Sequence, residues 1–439
     1  MKYRLGDICT ITKGATGIMK AIPGSYTMIV LGETDKTHNE YQFDTKAVII
    51  PLVSSTGHGH ASMKRVKYCE GKFALGNILC AVIPNDEGFV LAKYLHIYLH
   101  WNREELLVSQ MKGMANVSLP MNRIADVMVT VPCIEKQREI IELEKQLVDK
   151  EIEADKLFSN QLTLLENLNQ AILQEAVQGK LVKQDPNDEP ASELLKRIKA
   201  VKVSLIKAKE LKQGKSTDQS ISYTDEYEIP SSWNWCKTDD IFFVTKLAGF
   251  EYTEHIKLKK FGEIPVVRAQ NVRPLEIDKT NLLYIDREVS QLLDRCSLTK
   301  KCLLVTFIGA GIGDVATFNE TNRWHLAPNV AKMEPFNGCE NMIDITYVNY
   351  FLMSKIGQRE IFKHIKATAQ PSLSMGTIRD IDIPLPPLSE QKRIVAEIEK
   401  QFALTQQLKE KVLANQQATE QLLKALLHQA FEVKETEIT

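Results

Sequence analysis

The chain repeats itself, and few features limit a fold as strongly as an internal repeat far longer than one helix or strand. Residues 116–140, NVSLPMNRIADVMVTVPCIEKQREI, return at 370–394 as QPSLSMGTIRDIDIPLPPLSEQKRI. At a constant offset of 254, Ser118 matches Ser372, Leu119 matches Leu373, Ile124 matches Ile378, Asp126 matches Asp380 and Gln137 matches Gln391. LNQAILQEAVQGK (168–180) pairs with LLKALLHQAFEVK (422–434) at the same offset. Upstream, LGDICTITK (5–13) faces TDDIFFVTK (238–246) at an offset of 233, so the intervening segments differ in length as well as in sequence. The implied order is variable domain, shared helix, variable domain, shared helix.

Each shared segment turns helical after a proline, at Pro132 and after Pro384–Pro387, and Ser389 is placed to cap the second helix. A 3–4 spacing picks out Leu147, Glu151, Ala154, Phe158, Gln161, Leu165, Leu168 and Ile172 in the first copy. In the second it picks out Ile394, Ile398, Gln401, Thr405, Leu408, Val412, Asn415, Thr419, Leu422 and Leu426. Heptad spacing of this kind makes one stripe that must meet another helix. Each helix runs about 40 residues, or about 60 Å at ~1.5 Å per residue, too long for an ordinary globular domain. Pairing of the two copies as an antiparallel coiled coil is the expected solution. Between the halves, DPNDEP (185–190) breaks the helix and a stretch with eight Lys/Arg between Lys196 and Lys215 predicts a short basic helix. Its lysines read first as a solvated face and second as a phosphate contact.

Both variable segments mix short β-type runs, such as KAVIIPLV (46–53) and CLLVTFIG (302–309), with helical pieces such as 91–111 and 344–365. The expected fold class is therefore α+β, two mixed α/β domains alternating with two long helices. Eight cysteines without a CxxC exclude a zinc ribbon and a disulfide-dense scaffold, and fit a cytoplasmic protein. No apolar run is long enough to span a bilayer, and the first residues have no apolar core of a secretory signal. Net charge is −1; residues 1–131 hold 14 Lys/Arg against 11 Asp/Glu, and residues 228–387 hold 19 of each. Any nucleic-acid contact must come from local clusters or be shared with a partner subunit.

Two such clusters exist. SSTGHGHASMKRVK (54–67) offers Ser55, Thr56, His58, His60, Lys64 and Arg65, and VVRAQNVR (266–273) offers Arg268, Gln270, Asn271 and Arg273. Arg, Gln and Asn can bind base edges in a bidentate way, while Lys and backbone N–H suit phosphates. For any single residue the alternative is a solvated loop. Phe307–Gly313 (FIGAGIG) is similar to the glycine loop by which methyltransferases hold S-adenosylmethionine. It lacks a following helical period and any N-P-P-[FY] or D-P-P-[YW] motif, so a tight turn between strands explains it better. The His96/His100 pair has i, i+4 spacing but no adjacent glutamate, and no Walker loop, nucleophile elbow or EF-hand is present. No catalytic residue, metal site or cofactor is expected.

IPLPPLSEQKRIV (383–395), its weaker copy VTVPCIEKQREII (129–141), QAILQEAVQGKLV (170–182), IPSSWNW (229–235) and GHGHASMKRVKYCEGKFALGN (57–77) together resemble the DNA specificity subunits of type I restriction–modification systems, over nearly the whole chain. One departure is Cys133-Ile134 where the second copy has Pro387-Leu388. The resemblance implies two target-recognition domains, 1–132 and 229–387, two helices, 133–184 and 388–439, and a linker, 185–228. It implies a non-catalytic subunit in which each domain reads one half of a bipartite asymmetric site on double-stranded DNA and the helices set the spacer. Its implied partners are two modification (methyltransferase) subunits and ATP-dependent restriction subunits, with no membrane. A self-sufficient adenine methyltransferase using the 307–313 loop, and a coiled-coil scaffold without a DNA role, are the competing readings.

Overall fold

The computed structural model describes residues 1–55, 60–113, 117–211, 227–363 and 372–432. No helix among them is long and apolar enough to cross a membrane. The chain forms two compact units, Met1–Gln161 with Lys411–Thr439, and Leu162–Glu410.

In the first unit one antiparallel sheet has the strand order Cys9–Lys13, Leu79–Pro84, Ala47–Pro51, Lys67–Cys69. Its inner strand, AVIIP, is buried at every position, which explains its lack of apolar–polar alternation. The second sheet has the order Lys36–His38, Tyr26–Ile29, Lys72–Leu75, Phe43–Asp44 and contains one parallel pair, Tyr26–Ile29 with Lys72–Leu75. Helix Ala92–Trp101 buries Tyr94, Leu95, Ile97 and Leu99 against the first sheet's core. Lys2–Arg4 pairs with Met128–Thr130 as a separate ribbon.

The second unit repeats this topology strand for strand. Its antiparallel sheet runs Phe242–Lys246, Val330–Pro335, Cys302–Thr306, Val315–Phe318. Its other sheet runs Leu283–Ile285, Ile264–Val267, Trp324–Leu326, Ser297–Leu298, again with one parallel pair, in the corresponding place. Asn234–Lys237 pairs with Asp382–Leu385 as the ribbon. The α+β expectation holds, and the duplication extends through segments whose sequences do not match. Buried apolar strand positions are interchangeable among Val, Ile, Leu, Ala and Met when volume is roughly kept, so a fold outlives identity.

The two long helices are Ile134–Val177 and Leu388–Phe431. Inside each unit they lie antiparallel. In the first, Gln416 Nε2 donates to Asp155 Oδ1 at 3.2 Å, and Leu427 and Phe431 join the cluster that contains Ile140. In the second, Thr405 Oγ1 donates to Asn169 Oδ1 at 2.8 Å, and Ile172, Leu173, Ala176 and Val177 share a core with Ile394 and Ile398. The heptad phase needs correction. Gln161, Leu168, Asn415, Leu422 and Leu426 are exposed, and their neighbours Leu162, Asn169, Gln416, Leu423 and Leu427 turn inward instead. The inward positions Ile140, Glu151, Leu162, Leu173 and Ile394, Thr405, Gln416, Leu427 recur every eleven residues. That period, ~3.67 residues per turn, lies closer to the ~3.6 of a straight helix than a 3.5-residue heptad does.

Matched residues of the repeat form the joint between each helix and its domain. Gln137 is fully buried; its Oε1 accepts from Leu91 N–H (2.8 Å) and its Nε2 donates to the carbonyls of Phe89 (3.0 Å) and Pro132 (2.9 Å). Gln391 repeats this with Asp344 N–H (2.8 Å) and the Pro386 carbonyl (2.9 Å). Leu91 and Asp344 are both N-cap residues, so each glutamine holds the first turn of a domain helix. Tyr94 and Tyr347 donate to the Thr130 and Pro384 carbonyls, each at 2.6 Å. Asp126 and Asp380 hold Arg4 and Lys237 in corresponding ion pairs.

Ser389 is not a cap. The helix begins at Leu388, so Ser389 lies inside it and its hydroxyl donates to Asp188, which also binds Arg393 at 2.7 Å. The predicted basic helix is Ala191–Lys207, and it is docked rather than solvated all round. Ala191, Leu194, Leu195 and Ile198 are buried in the second unit's core, and Lys202 and Lys199 pair with Asp239 and Asp240. Lys196 and Arg197 stay exposed, beside Glu193 and Glu189.

Candidate nucleic-acid interface

The first candidate cluster lies on the connection between strands Ala47–Pro51 and Lys67–Cys69. Its base is tied down: Ser54 N–H donates to the Val117 carbonyl and Leu119 N–H to the Leu52 carbonyl, each at 2.9 Å. Ser55 Oγ accepts from Lys64 N–H at 3.2 Å, and Ser54 Oγ donates to the His60 carbonyl at 2.6 Å. The loop therefore closes on itself, with His60 and Lys64 exposed and Arg65 half-buried. Thr56 and His58 lie outside the described residues.

Arg65 meets Glu33 at 2.8 Å, and Lys67 Nζ donates to the Val30 and Gly32 carbonyls and to Asp35. Segment 30–35 was not singled out from sequence, because a single Glu beside Gly carries no motif. Between the two loops lies a cavity of about 270 Å³ with Val30, Ile49, Pro51 and Leu79 among its lining and Ser55, Lys64 and Arg65 beside them.

Two histidines brace this loop. His96 Nε2 meets the Val66 carbonyl at 3.1 Å, and His100 Nδ1 accepts from Val66 N–H at 3.4 Å. Burial, with nearby cations adding, lowers each imidazole to about 4, so both are neutral at pH 7. The unfolded chain takes up protons near pH 6.5 and the folded one only near 4, so stability is full above 6.5 and falls as pH drops through that window. The limiting slope is about 1.4 kcal/mol per pH unit for each histidine, shared between coupled groups. Urea unfolding of the first unit's signal at pH 7.5 and 5 should show this loss, and the His96→Gln/His100→Gln variant should flatten it. Equal pH dependence in the variant would assign the effect elsewhere.

The second cluster follows strand Ile264–Val267. Asn271 is buried, with its Oδ1 accepting from Arg268 N–H (3.1 Å) and its Nδ2 donating to the Asp278 and Thr280 carbonyls (3.0 and 3.3 Å). Its amide is spent on shaping the loop. Arg268 is half-buried, giving Nη2 to the Asn281 carbonyl at 2.6 Å while its Nε is buried without a partner. Gln270 and Arg273 are exposed. The Val272–Arg273 and Glu276–Ile277 hairpin lies along strand Val315–Phe318, with Leu275 N–H donating to the Val315 carbonyl at 2.9 Å.

The glycine run 307–313 is the turn of an antiparallel hairpin, Cys302–Thr306 with Val315–Phe318, so the strand–loop–helix setting of a nucleotide-binding loop is missing. Gly309, Gly311 and Gly313 all have positive φ, which a turn this tight requires. No group of three or more His, Cys, Asp or Glu suited to a metal occurs among the described residues.

The family model described as type I restriction modification DNA specificity domain matches residues 1–164 and 201–414. The Escherichia coli protein named type I restriction enzyme EcoEI specificity subunit is 29% identical over 289 residues, covering 63% of this chain and 47% of its own length. The EcoAI specificity subunit, also from Escherichia coli, is 27% identical over 263 residues, covering 58% of this chain and 42% of its own. The chain thus spans about half the length of these relatives or less. A solved chain from work on complex assembly and conformational transition of the type I R-M system superposes with a TM-score of 0.62 at 14% identity, covering 98% of this chain and 97% of that one. That likeness bears on the fold, whose duplicated layout is the one derived above. With two matched stretches that together cover most of its residues, the chain belongs to the type I restriction–modification DNA specificity family.

Proposed function

We propose that this chain is the sequence-reading subunit of a type I restriction–modification complex, without catalysis of its own. The observation that carries this is one fold present twice, with sequence likeness concentrated at the helix joints and divergence through the rest of each domain. Two homologous but dissimilar readers in one chain suit a bipartite, asymmetric site on double-stranded DNA. We assign the readers to residues 1–132 and 229–387, the helices to 133–184 and 388–439, and the linker to 185–228. His60, Lys64, Gln270 and Arg273 are exposed and Ser55, Arg65 and Arg268 half-buried, so all seven are candidates for contact with DNA; Asn271 is buried and shapes its loop, and Thr56 and His58 complete the first set.

The near-neutral charge fits a chain that shares its phosphate contacts with partners, here two modification subunits that carry the methyltransferase chemistry and ATP-dependent restriction subunits. The methyltransferase alternative is disfavoured by the hairpin setting of its glycine loop. The test is selection of duplexes from a library with two randomised blocks, using the full chain with its modification subunits. Two short conserved blocks at a fixed gap are expected. An insertion within the helices between Gln137 and Gly179 should change the gap and leave the letters alone. Recovery of one contiguous motif, or altered letters at an unchanged gap, would count against the assignment.

A further inference from the structure

The two candidate clusters occupy different places in the duplicated fold. The 54–66 loop joins the third and fourth strands of the antiparallel sheet of the first unit, and the corresponding connection in the second is 307–314. The match is atomic as well as topological. The hydrogen bond from Leu119 N–H to the Leu52 carbonyl (2.9 Å) returns as Leu373 N–H to the Phe307 carbonyl (2.9 Å), and bridge Val53–Ser118 returns as Ile308–Ser372. Conversely, the Arg268–Arg273 cluster leaves the strand equivalent to Tyr26–Ile29, so its counterpart in the first unit is the segment 30–35.

Resting on the function proposed above, we infer that both domains meet DNA with the same pair of loops. The contact surface then also includes segment 30–35 of the first domain and the 308–314 turn of the second. In each domain the two loops meet, and in the first an acid of one pairs with an arginine of the other. Glu33 pairs with Arg65 in the first, with the two side chains 80% and 41% exposed. In the second, Leu275 N–H donates to the Val315 carbonyl at 2.9 Å, which brings the loop that carries Arg273 beside the turn that ends at Asp314. An exposed ion pair contributes little to folding, so both partners can exchange it for DNA groups at small cost. Released, an arginine suits guanine or a phosphate, and a carboxylate accepts from cytosine N4.

The glycine turn supplies the other half of the chemistry. Gly309 has φ +102° and a Cβ there would meet nothing within 4 Å, so packing does not demand its conformation. Its effect is to hold Ala310 at an exposed tip, where no partner among the described residues takes the N–H of Ala310 or Gly311. Two successive N–H groups without such a partner, at an exposed tip, suit a phosphate oxygen.

The test uses the full chain with its modification subunits, on a duplex of the selected site. Ala310→Glu should weaken binding about tenfold by setting like charge against a phosphate, and Ala310→Lys should steepen the slope of log affinity against log salt by about one. Because Ala310 is exposed, neither change should alter the melting temperature. Glu33→Gln should change letters in one half-site and leave the other untouched. If both Ala310 variants bind within twofold of wild type with an unchanged salt slope while Arg65→Glu weakens binding, the shared-loop inference is wrong and the function stands. If the wild-type chain selects no bipartite site, both fall together.

Discussion

Replacing Gln137 by Ala is expected to cost about 3 kcal/mol, because one N–H and two carbonyls, all at least partly buried, lose their partner at ~1 kcal/mol each. The groups are Leu91 N–H and the Phe89 and Pro132 carbonyls, all bonded at 2.8–3.0 Å to a fully buried side chain, the Pro132 bond buried and the other two partly so. Gln391→Ala should follow the same pattern, through the Asp344 N–H and the Pro386 carbonyl. A glutamate at 137 keeps the volume but has no N–H to give two carbonyls, so it should not restore stability. Urea unfolding of the full chain, followed by probes placed in each unit, measures this. A loss under 1 kcal/mol, or full rescue by Glu, would show that packing rather than hydrogen bonding makes the joint.

The second large effect is expected at Gly179, just past the end of the first long helix. Its φ is +68°, and a Cβ there would sit 2.4 Å from Pro230 Cγ and 2.8 Å from its Cδ. Trp233 Cζ2, at 3.2 Å, closes the remaining side. Gly179→Ala should therefore cost about 3 kcal/mol, combining ~1–2 for a left-handed L-residue with ~1–3 for displacing a packed ring. The Gly179→Ala/Pro230→Ala double variant removes most of the steric share and leaves the backbone share, so it should recover part of the loss beyond the cost of Pro230→Ala alone. Full additivity of the two single changes would refute the contact. The same geometry brings QGK (178–180) and IPSSW (229–233), far apart in sequence, into contact.

The duplication and the long helices were legible because they depend on local pattern. Proline before an apolar period, and the same spaced residues twice at one offset, can be read without knowing any contact. The stripe's phase was read only in part. Spacings of three and four approximate both 3.5 and 3.67 residues per turn, and the two separate only after several turns, as Leu422 and Leu423 show. Ser389 lies two residues beyond the cap position at Pro387, which is enough to make it a side chain bonded to Asp188 instead.

Sequence by itself determined that the chain is built twice from one plan, that its family is the DNA specificity family, and that the two domains differ in sequence between their matched segments. Tertiary structure alone decided which loop answers to which. Segments 54–66 and 307–314 share neither length nor composition, and only the strands and the paired Ser118 and Ser372 bridges beneath them show their equivalence. It also decided which polar residues face outward: Asn271 and Gln270 are neighbours of the same chemistry, yet one amide is consumed within its loop and the other is exposed. The physical reason is that a side chain's exposure depends on partners distant in sequence, whereas helical period and repeat are written in neighbouring residues.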